Sequence, residues 1–466
     1  MSEALDTVLA PAKEAFSDAL FSRVRAHLYS QLLCMGRHTI TGLLSTQGKV
    51  HQDWSADYRL YANKRLDPEV LFGCVRQELR AGRKEREPLV LALDDSLLRK
   101  RGPRAHGVKW MRDPLGPPFS VNFVRGQRVV QFSAALQNGP AQARMVPVDF
   151  QHAPAPPKVP AEADAQERAT IEARRKEENI NAVAAKRLKH LAAQERCPVV
   201  AVCDGRFANR TFLRKAPAQS TVITRIRKDT ALFWPVAKQP ATGRRRIYGG
   251  RAPTPEELRQ DESKPWQRVR AFACGAMHQF KVKRLQGVLS PVLGAPACQL
   301  LVIAPLGYRP RAGSKLLYRQ PAYLLCTDPK LSLRRLLQYY LWRWDIEVNF
   351  RDEKTVLGVG QAQVRTPEST DRVPATAVAA YGLLLAAAAR AFPNQEDPRL
   401  FPPPRWRTKT PPRPSTSALL DHLRFELFAH ALKPESFTGF WSQPYPNQKP
   451  PKLPVALASS LFHRRL

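Results

Sequence analysis

The stretch Pro88-Leu-Val-Leu-Ala-Leu-Asp-Asp-Ser96 is a short apolar run that ends in two carboxylates. A buried central strand reads this way when its C-terminal end opens into a site. Downstream, Cys197-Pro-Val-Val-Ala-Val-Cys-Asp204 repeats the device of an apolar strand delivering an Asp. Between the two, Val121 to Leu136 and Ala143 to Phe150 have strand texture around Asn138-Gly139, the strongest short hairpin signal in the chain. After a Pro-rich break at His152 to Pro160, Ala161 to Gln194 reads as one long helix. Its 7 acids and 8 bases up to Arg196 nearly cancel, which marks a solvated scaffold face. The order β-β-β-α-β predicts an α/β fold.

Working outward, residues 1–86 are helical by the spacing of Phe21, Val24, Leu28 and Leu32, and of Val70, Leu71, Val75 and Leu79. Gly36-Arg-His-Thr-Ile-Thr-Gly-Leu-Leu fits the turn and second helix of a helix-turn-helix, and equally an ordinary Thr-capped helix. Gly205 to Arg284 holds 19 bases and 5 acids among short β-rich pieces such as Thr221 to Ile226 and Val269 to Phe272, a basic insertion. Leu300 to Ala304 and Ala322 to Cys326 resume strand texture, and Leu331 to Val356 is helical. Pro393 to Pro414 carries eight prolines, a linker or extended strap, before an amphipathic helix from Ser417 to Leu432.

The chain has 466 residues and a net charge of +34. Such an excess makes nucleic acid the leading partner and an anionic membrane surface the second. Ala375 to Ala389 is alanine-rich and shorter than the roughly 20 apolar residues a membrane span needs, so it reads as a buried helix. The N-terminus shows no basic start followed by an apolar run, so no secretory signal is expected. Seven scattered cysteines without a CxxC pair argue against a disulfide framework or zinc module and for buried thiols in a reducing cytoplasm. Cys274 and His278 supply one half of a ligand spacing and no second half.

The helix Tyr340-Leu-Trp-Arg-Trp-Asp-Ile-Glu-Val-Asn-Phe-Arg-Asp-Glu-Lys354 carries the chemistry. At about 100° per residue, Tyr340, Arg343, Glu347 and Lys354 fall at roughly 0°, −60°, −20° and −40°, one narrow face, with Asp345 and Glu353 on others. A carboxylate among two cations and a phenol is what a metal-and-phosphate site requires. An Arg/Glu pair on a solvated helix explains only two of the four. Asp95 and Asp204 close their strands and Glu347 comes from this helix. Three such oxygen donors suit Mg²⁺ or Mn²⁺, and two ions about 3.5–4 Å apart would serve an in-line phosphoryl displacement.

With these residues in place, the chain resembles the DDE transposases of bacterial insertion sequences. Within them it is similar to the group with the Y-x₂-R-x₃-E-x₆-K signature (Tyr340, Arg343, Glu347, Lys354) and a β-strand insertion between the second Asp and the Glu. The resemblance covers about Pro88 to Phe392. It implies a ribonuclease H-like core interrupted by a β-rich insertion, with helical N- and C-terminal regions. The expected division is 1–86 helical and DNA-binding, 87–215 the first core segment, 216–325 the basic β-rich insertion, 326–395 the second core segment, and 396–466 a Pro-rich linker and C-terminal helical region. The implied activity is metal-dependent cleavage at terminal inverted repeats of double-stranded DNA, followed by strand transfer to target DNA. The resemblance assigns Asp95, Asp204 and Glu347 as catalytic ligands of Mg²⁺ or Mn²⁺, and Tyr340, Arg343 and Lys354 as contacts to DNA. Asp94 rivals Asp95, which is preferred because the family's Asp usually precedes a small hydroxyl residue, here Ser96. A base-stacking Trp of the insertion would be Trp234 or Trp266, for each of which core packing is the competing role. The basic loop Leu97 to Arg128, with 8 bases and 1 acid, would flank Asp95 and suits phosphate contact. A homo-oligomer on DNA, a cytoplasmic, nucleoid-associated location and no membrane association complete the expectation. The rivals are a silent, domesticated DNA-binding protein and a nuclease of the same fold that cuts without joining.

Overall fold

The computed structural model describes residues 1–429 except 63, 85–86, 114–115, 118, 138–141, 155–157, 240–241, 311–312, 396–399 and 402–412. The Asn138-Gly139 turn, most of the Pro393 to Pro414 segment, and residues 430–466 of the expected C-terminal region lie outside the described residues.

Five helices come first: α1 (Ser2–Leu9), α2 (Asp18–Leu33), α3 (Ile40–Thr46), α4 (Ser55–Ala62) and α5 (Pro68–Ala81). Asp67 caps α5 by accepting from the Glu69 N–H, with Pro68 at the first helical position. Thr39 caps α3, its hydroxyl accepting from the Gly42 N–H at 3.1 Å. Ile40, Leu43 and Leu44 of this seven-residue helix are buried.

Next come β1 (Leu89–Arg99), β2 (Lys109–Arg112), β3 (Phe123–Gln137) and β4 (Ala143–His152). β1, β3 and β4 form an antiparallel meander. Where one long helix was expected over 161–194 there are two, α6 (Ala165–Glu177) and α7 (Ile180–Ala193). Asn179 separates them: its side-chain oxygen accepts from the Asn181 and Ala182 N–H groups, and its amide donates to the Arg175 and Lys176 carbonyls. One side chain thus caps the end of α6 and the start of α7. β5 (Val199–Cys203) then pairs parallel with β1. After α8 (Arg210–Lys215), β6 (Ser220–Arg225) pairs parallel with β5.

The remaining strands are β7 (Leu232–Phe233), β8 (Arg251–Ala252), β9 (Gln267–Ala273), β10 (Ala276–Leu289), β11 (Ala297–Ile303), β12 (Gly307–Tyr308), β13 (Leu317–Tyr318) and β14 (Ala322–Cys326), with α9 (Pro255–Gln260) among them. They extend the same sheet, whose order is β2-β3-β1-β5-β6-β14-β11-β10-β7-β8 with β4 on β3 and β9 on β10; β12 and β13 pair separately. Cys274 and Gly275, both at positive φ, turn β9 into β10, so this thiol is exposed; Cys197 is partly buried and the other five are buried.

The chain closes with α10 (Leu333–Arg343), α11 (Asp345–Thr355), α12 (Pro367–Ala391) and α13 (Thr416–Ala429). Alternation along the central strands separates two cores. Leu89, Leu91, Leu93, Ala201 and Cys203 join one cluster with α7, α12 and the N-terminal helices. Val90, Ala92, Val200 and Val202 join another with Leu336, Leu337, Ile346 and Phe350 of α10 and α11. Among the described residues α12 is the one helix long and apolar enough to cross a membrane, and it is buried in the fold. It approaches β4 so closely that a Cβ at Gly382 would lie 2.5 Å from the Pro147 carbonyl oxygen.

Candidate active site

β1 does not end at its acids. Its parallel pairing with β5 stops at Leu93↔Cys203, while its antiparallel pairing with β3 runs on to Arg99↔Gly126. Asp94 and Asp95 therefore sit where β1 leaves β5, on opposite faces of the strand. Asp94 continues the Val90 and Ala92 face that α10 and α11 cover. Asp204 follows β5 and caps a turn of 3₁₀ helix (Gly205–Phe207), its carboxylate accepting from the Arg206 N–H at 3.0 Å. The Thr224 hydroxyl of β6 donates to the Asp204 carbonyl at 2.8 Å, fixing this corner.

Ser332 caps α10. The two site helices meet at Trp344, which keeps right-handed helical dihedrals (φ −54°, ψ −26°) and is 60% exposed. Arg343 and Glu347 still meet across this junction. Arg343, 9% exposed, donates from Nη1 to Asp94 Oδ2 at 2.9 Å and from Nη2 to Glu347 Oε1 at 3.3 Å. Lys354 donates to the Ser96 hydroxyl at 2.6 Å. Tyr340 is half-buried beside the apolar cluster under α10. Burial pushes the Asp94 carboxyl up to about 7; Arg343 opposes the rise, and Asp204 and Asp95 add to it. Burial also lowers the Lys354 ammonium.

Asp95 lies on the other face, between Arg206 (Nε to Oδ1, 2.9 Å) and Arg128 (Nε to Oδ2, 3.7 Å). Burial raises its carboxyl too, with the two guanidiniums opposing. The structure thus brings Asp94, Arg343 and Glu347 together, places Asp204 close enough to act on both β1 acids, and sets Asp95 in a separate cluster of opposite charge.

Sequence reasoning missed Arg128, Arg206 and the Ser96–Lys354 bond. Hairpin register held the signal for Arg128, because Leu97↔Arg128 is two steps beyond Asp95↔Val130 in the ladder and so on the same face. It also missed what holds α11. Asp345, Asn349, Asp352 and Glu353 form the helix side turned away from Glu347. Asn349 donates to Ser133 Oγ at 3.1 Å and the Met145 carbonyl at 2.9 Å. Gln131 donates to Glu353 at 2.8 Å and the Met145 N–H to Asp345 at 2.8 Å. Thr416, at the start of α13, donates to Asp352 at 2.6 Å. Trp234 is 38% exposed, whereas Trp266 is partly buried under Lys283, 4.7 Å from its ring.

Among the described residues no three His, Cys, Asp or Glu are grouped closely enough to hold an ion as they stand. The Arg343 guanidinium bridges Asp94 and Glu347 in that space. The donor set nevertheless fits a hard divalent cation: it offers only oxygen, and Asp94 is a part-buried acid that one arginine leaves undercompensated.

Residues 14–286, more than half of the chain, match the family described as DDE superfamily endonuclease. The chain belongs to this family. The match to the DDE endonucleases spans Asp94, Asp95 and Asp204 and ends before Glu347, so the third acid rests on the geometry. The mixed sheet with helices on its faces is consistent with a DDE nuclease fold, and membership carries action on DNA and typical use of divalent metals. No match was found among curated proteins.

Proposed function

We propose that the chain is a transposase that binds the terminal inverted repeats of a mobile element, cleaves them and joins the freed end to target DNA, acting as a homo-oligomer on double-stranded DNA. The observation that carries this reading is the clasp of Arg343 on both Asp94 and Glu347 beside Asp204, which joins the Y-R-E-K helix pair to the strand acids. A ribonuclease H-like core is supported by a meander continued by two parallel strands, with acids beside the C-terminal end of β5. In this reading the core segments are 87–225 and 326–395, the first extended from the expected 215 because β6 pairs parallel with β5, with 226–325 the insertion and 1–86 and 396–466 the end-binding and assembly regions.

Asp94 replaces Asp95 as the proposed first ligand, with Asp204 and Glu347 as the others, because Asp94 alone of the pair shares the face of α10 and α11. Bound Mg²⁺ or Mn²⁺ would supply activation of the attacking oxygen and stabilisation of the leaving one. The chain's own groups do the rest. Tyr340, Arg343 and Lys354 hold the DNA backbone over the acids, and Arg128 and Arg206 flank Asp95 and add positive charge on the far face.

The test is plasmid nicking and strand transfer with a substrate carrying the element ends. Asp94→Asn, Asp204→Asn and Glu347→Gln should each abolish cleavage while end binding persists, and Asp95→Asn should retain it. Cleavage by Asp94→Asn would refute the assignment; cuts never followed by joined products would refute transposition and leave a nuclease.

A further inference from the structure

The β2–β3 ribbon carries a feature that neither the acids nor the Y-R-E-K residues use. Its register is Trp110↔Arg125 and Arg112↔Phe123. Residues opposed across an antiparallel ladder share a face, as do residues two apart on a strand. Trp110, Arg112, Phe123 and Arg125 therefore form one face on which each aromatic ring is opposed by an arginine. Trp110 is 62% and Phe123 57% exposed, and the Arg125 guanidinium lies 4.9 Å from the Trp110 ring.

Register also tells which side of the sheet this is. Along β3, Phe123 and Arg125 are in phase with Gln127, Val129 and Gln131, which oppose Leu98, Ser96 and Asp94. No register shift falls between Phe123 and Gln131. The ribbon face is thus continuous with the face bearing Asp94 and Ser96. Arg125 lies six residues along β3 from the partner of Asp94, roughly 20 Å at strand rise.

We propose that this face is a stacking platform for unpaired bases of the DNA, engaging a single-stranded stretch roughly 20 Å from Asp94. Exposed aromatics interleaved with guanidiniums fit such an occupant: every base has a π-face for Trp110 and Phe123, and the backbone meets Arg112 and Arg125. A purely duplex partner would use the arginines and leave the rings in water. The chain at 97–128, with 8 bases and 1 acid, gives the surrounding charge the sign a polyanion needs. The inference rests on the DNA-acting reading above.

The test is fluorescence anisotropy of the full chain with a labelled 12-nucleotide single strand and its duplex. Trp110→Ala/Phe123→Ala should weaken single-strand binding roughly tenfold or more, since stacking is worth about 1–3 kcal/mol per base, and leave duplex binding unchanged. Trp110→Phe, which keeps a ring, should restore most of the affinity. Equal single-strand binding by the double variant would overturn the platform alone, because wild-type nicking would still stand. Loss of self-association in the double variant, read by light scattering, would overturn it in favour of a second copy as the occupant. Failure of the wild type to bind either DNA would overturn both readings.

Discussion

Adjacent acids on one strand are not equivalent. Pleating sends Asp94 to α10 and α11 and Asp95 to Arg128 and Arg206, and that single step decides which of them meets Glu347. Arg343 is the residue on which Asp94 depends: removing a partner from a buried ion pair strands the other charge. Arg343→Ala should therefore lower the unfolding free energy by about 2–4 kcal/mol in urea titrations. Adding Asp94→Asn to Arg343→Ala should recover part of that loss. Additive losses would show that Asp94 is not the charge Arg343 compensates. The preference for Asp95 comes from its neighbour Ser96, a local feature. Ser96 in fact receives Lys354, two positions along the face that Asp94 occupies.

At the scale of the element, α11 is held by polar groups, and its apolar periodicity alone does not reveal this. Asp345 and Glu353 do lie on faces away from Glu347, as helical pitch predicts, but those faces are bonded to β3 and β4 and are not solvated. Glu353 is 1% exposed, and burial pushes its carboxyl up to about 8, with the Gln131 amide opposing. A folded pKa above the unfolded one means the native state holds a proton the unfolded chain has released. Stability from this group is then full below about pH 4.5 and falls as pH rises to about 8. Glu353→Gln, which keeps the shape and the neutral form, should flatten that fall, seen as a variant that gains on wild type in denaturation midpoint from pH 5 to pH 8. A constant difference across the range would sink the idea. Asn179, which caps two helices, makes a second element-scale prediction: Asn179→Ala should cost about 1–2 kcal/mol in the same assay. The break it creates is hidden in the sequence because α6 and α7 are both strong helical patterns, and only its two-sided hydrogen bonding separates them.

Across the whole molecule the excess of +34 acts on stability as well as on partners. Self-repulsion among unscreened cations weakens the compact state, and salt relieves it. The melting temperature should rise by several degrees, as an order of magnitude, between 50 and 500 mM NaCl, while affinity for DNA falls linearly on a log–log salt plot. A melting temperature that drops over this range would place stabilising surface ion pairs above net repulsion. The amino-acid sequence by itself determined β1, β3 to β6, β9, β11 and β14, because period-2 and continuous apolar runs are local; β2, β7, β8, β10, β12 and β13 were not legible in it. It determined the buried fate of α12 and the face shared by Arg343, Glu347 and Lys354, because helical pitch is local too. Tertiary structure alone decided that β1 runs past its acids, that Asp94 and not Asp95 meets that helix face, and that β6 and β14 carry the central sheet onward. These depend on strand register and sheet order, which are set by pairings between residues far apart in the chain, and a one-residue change in register reverses every face.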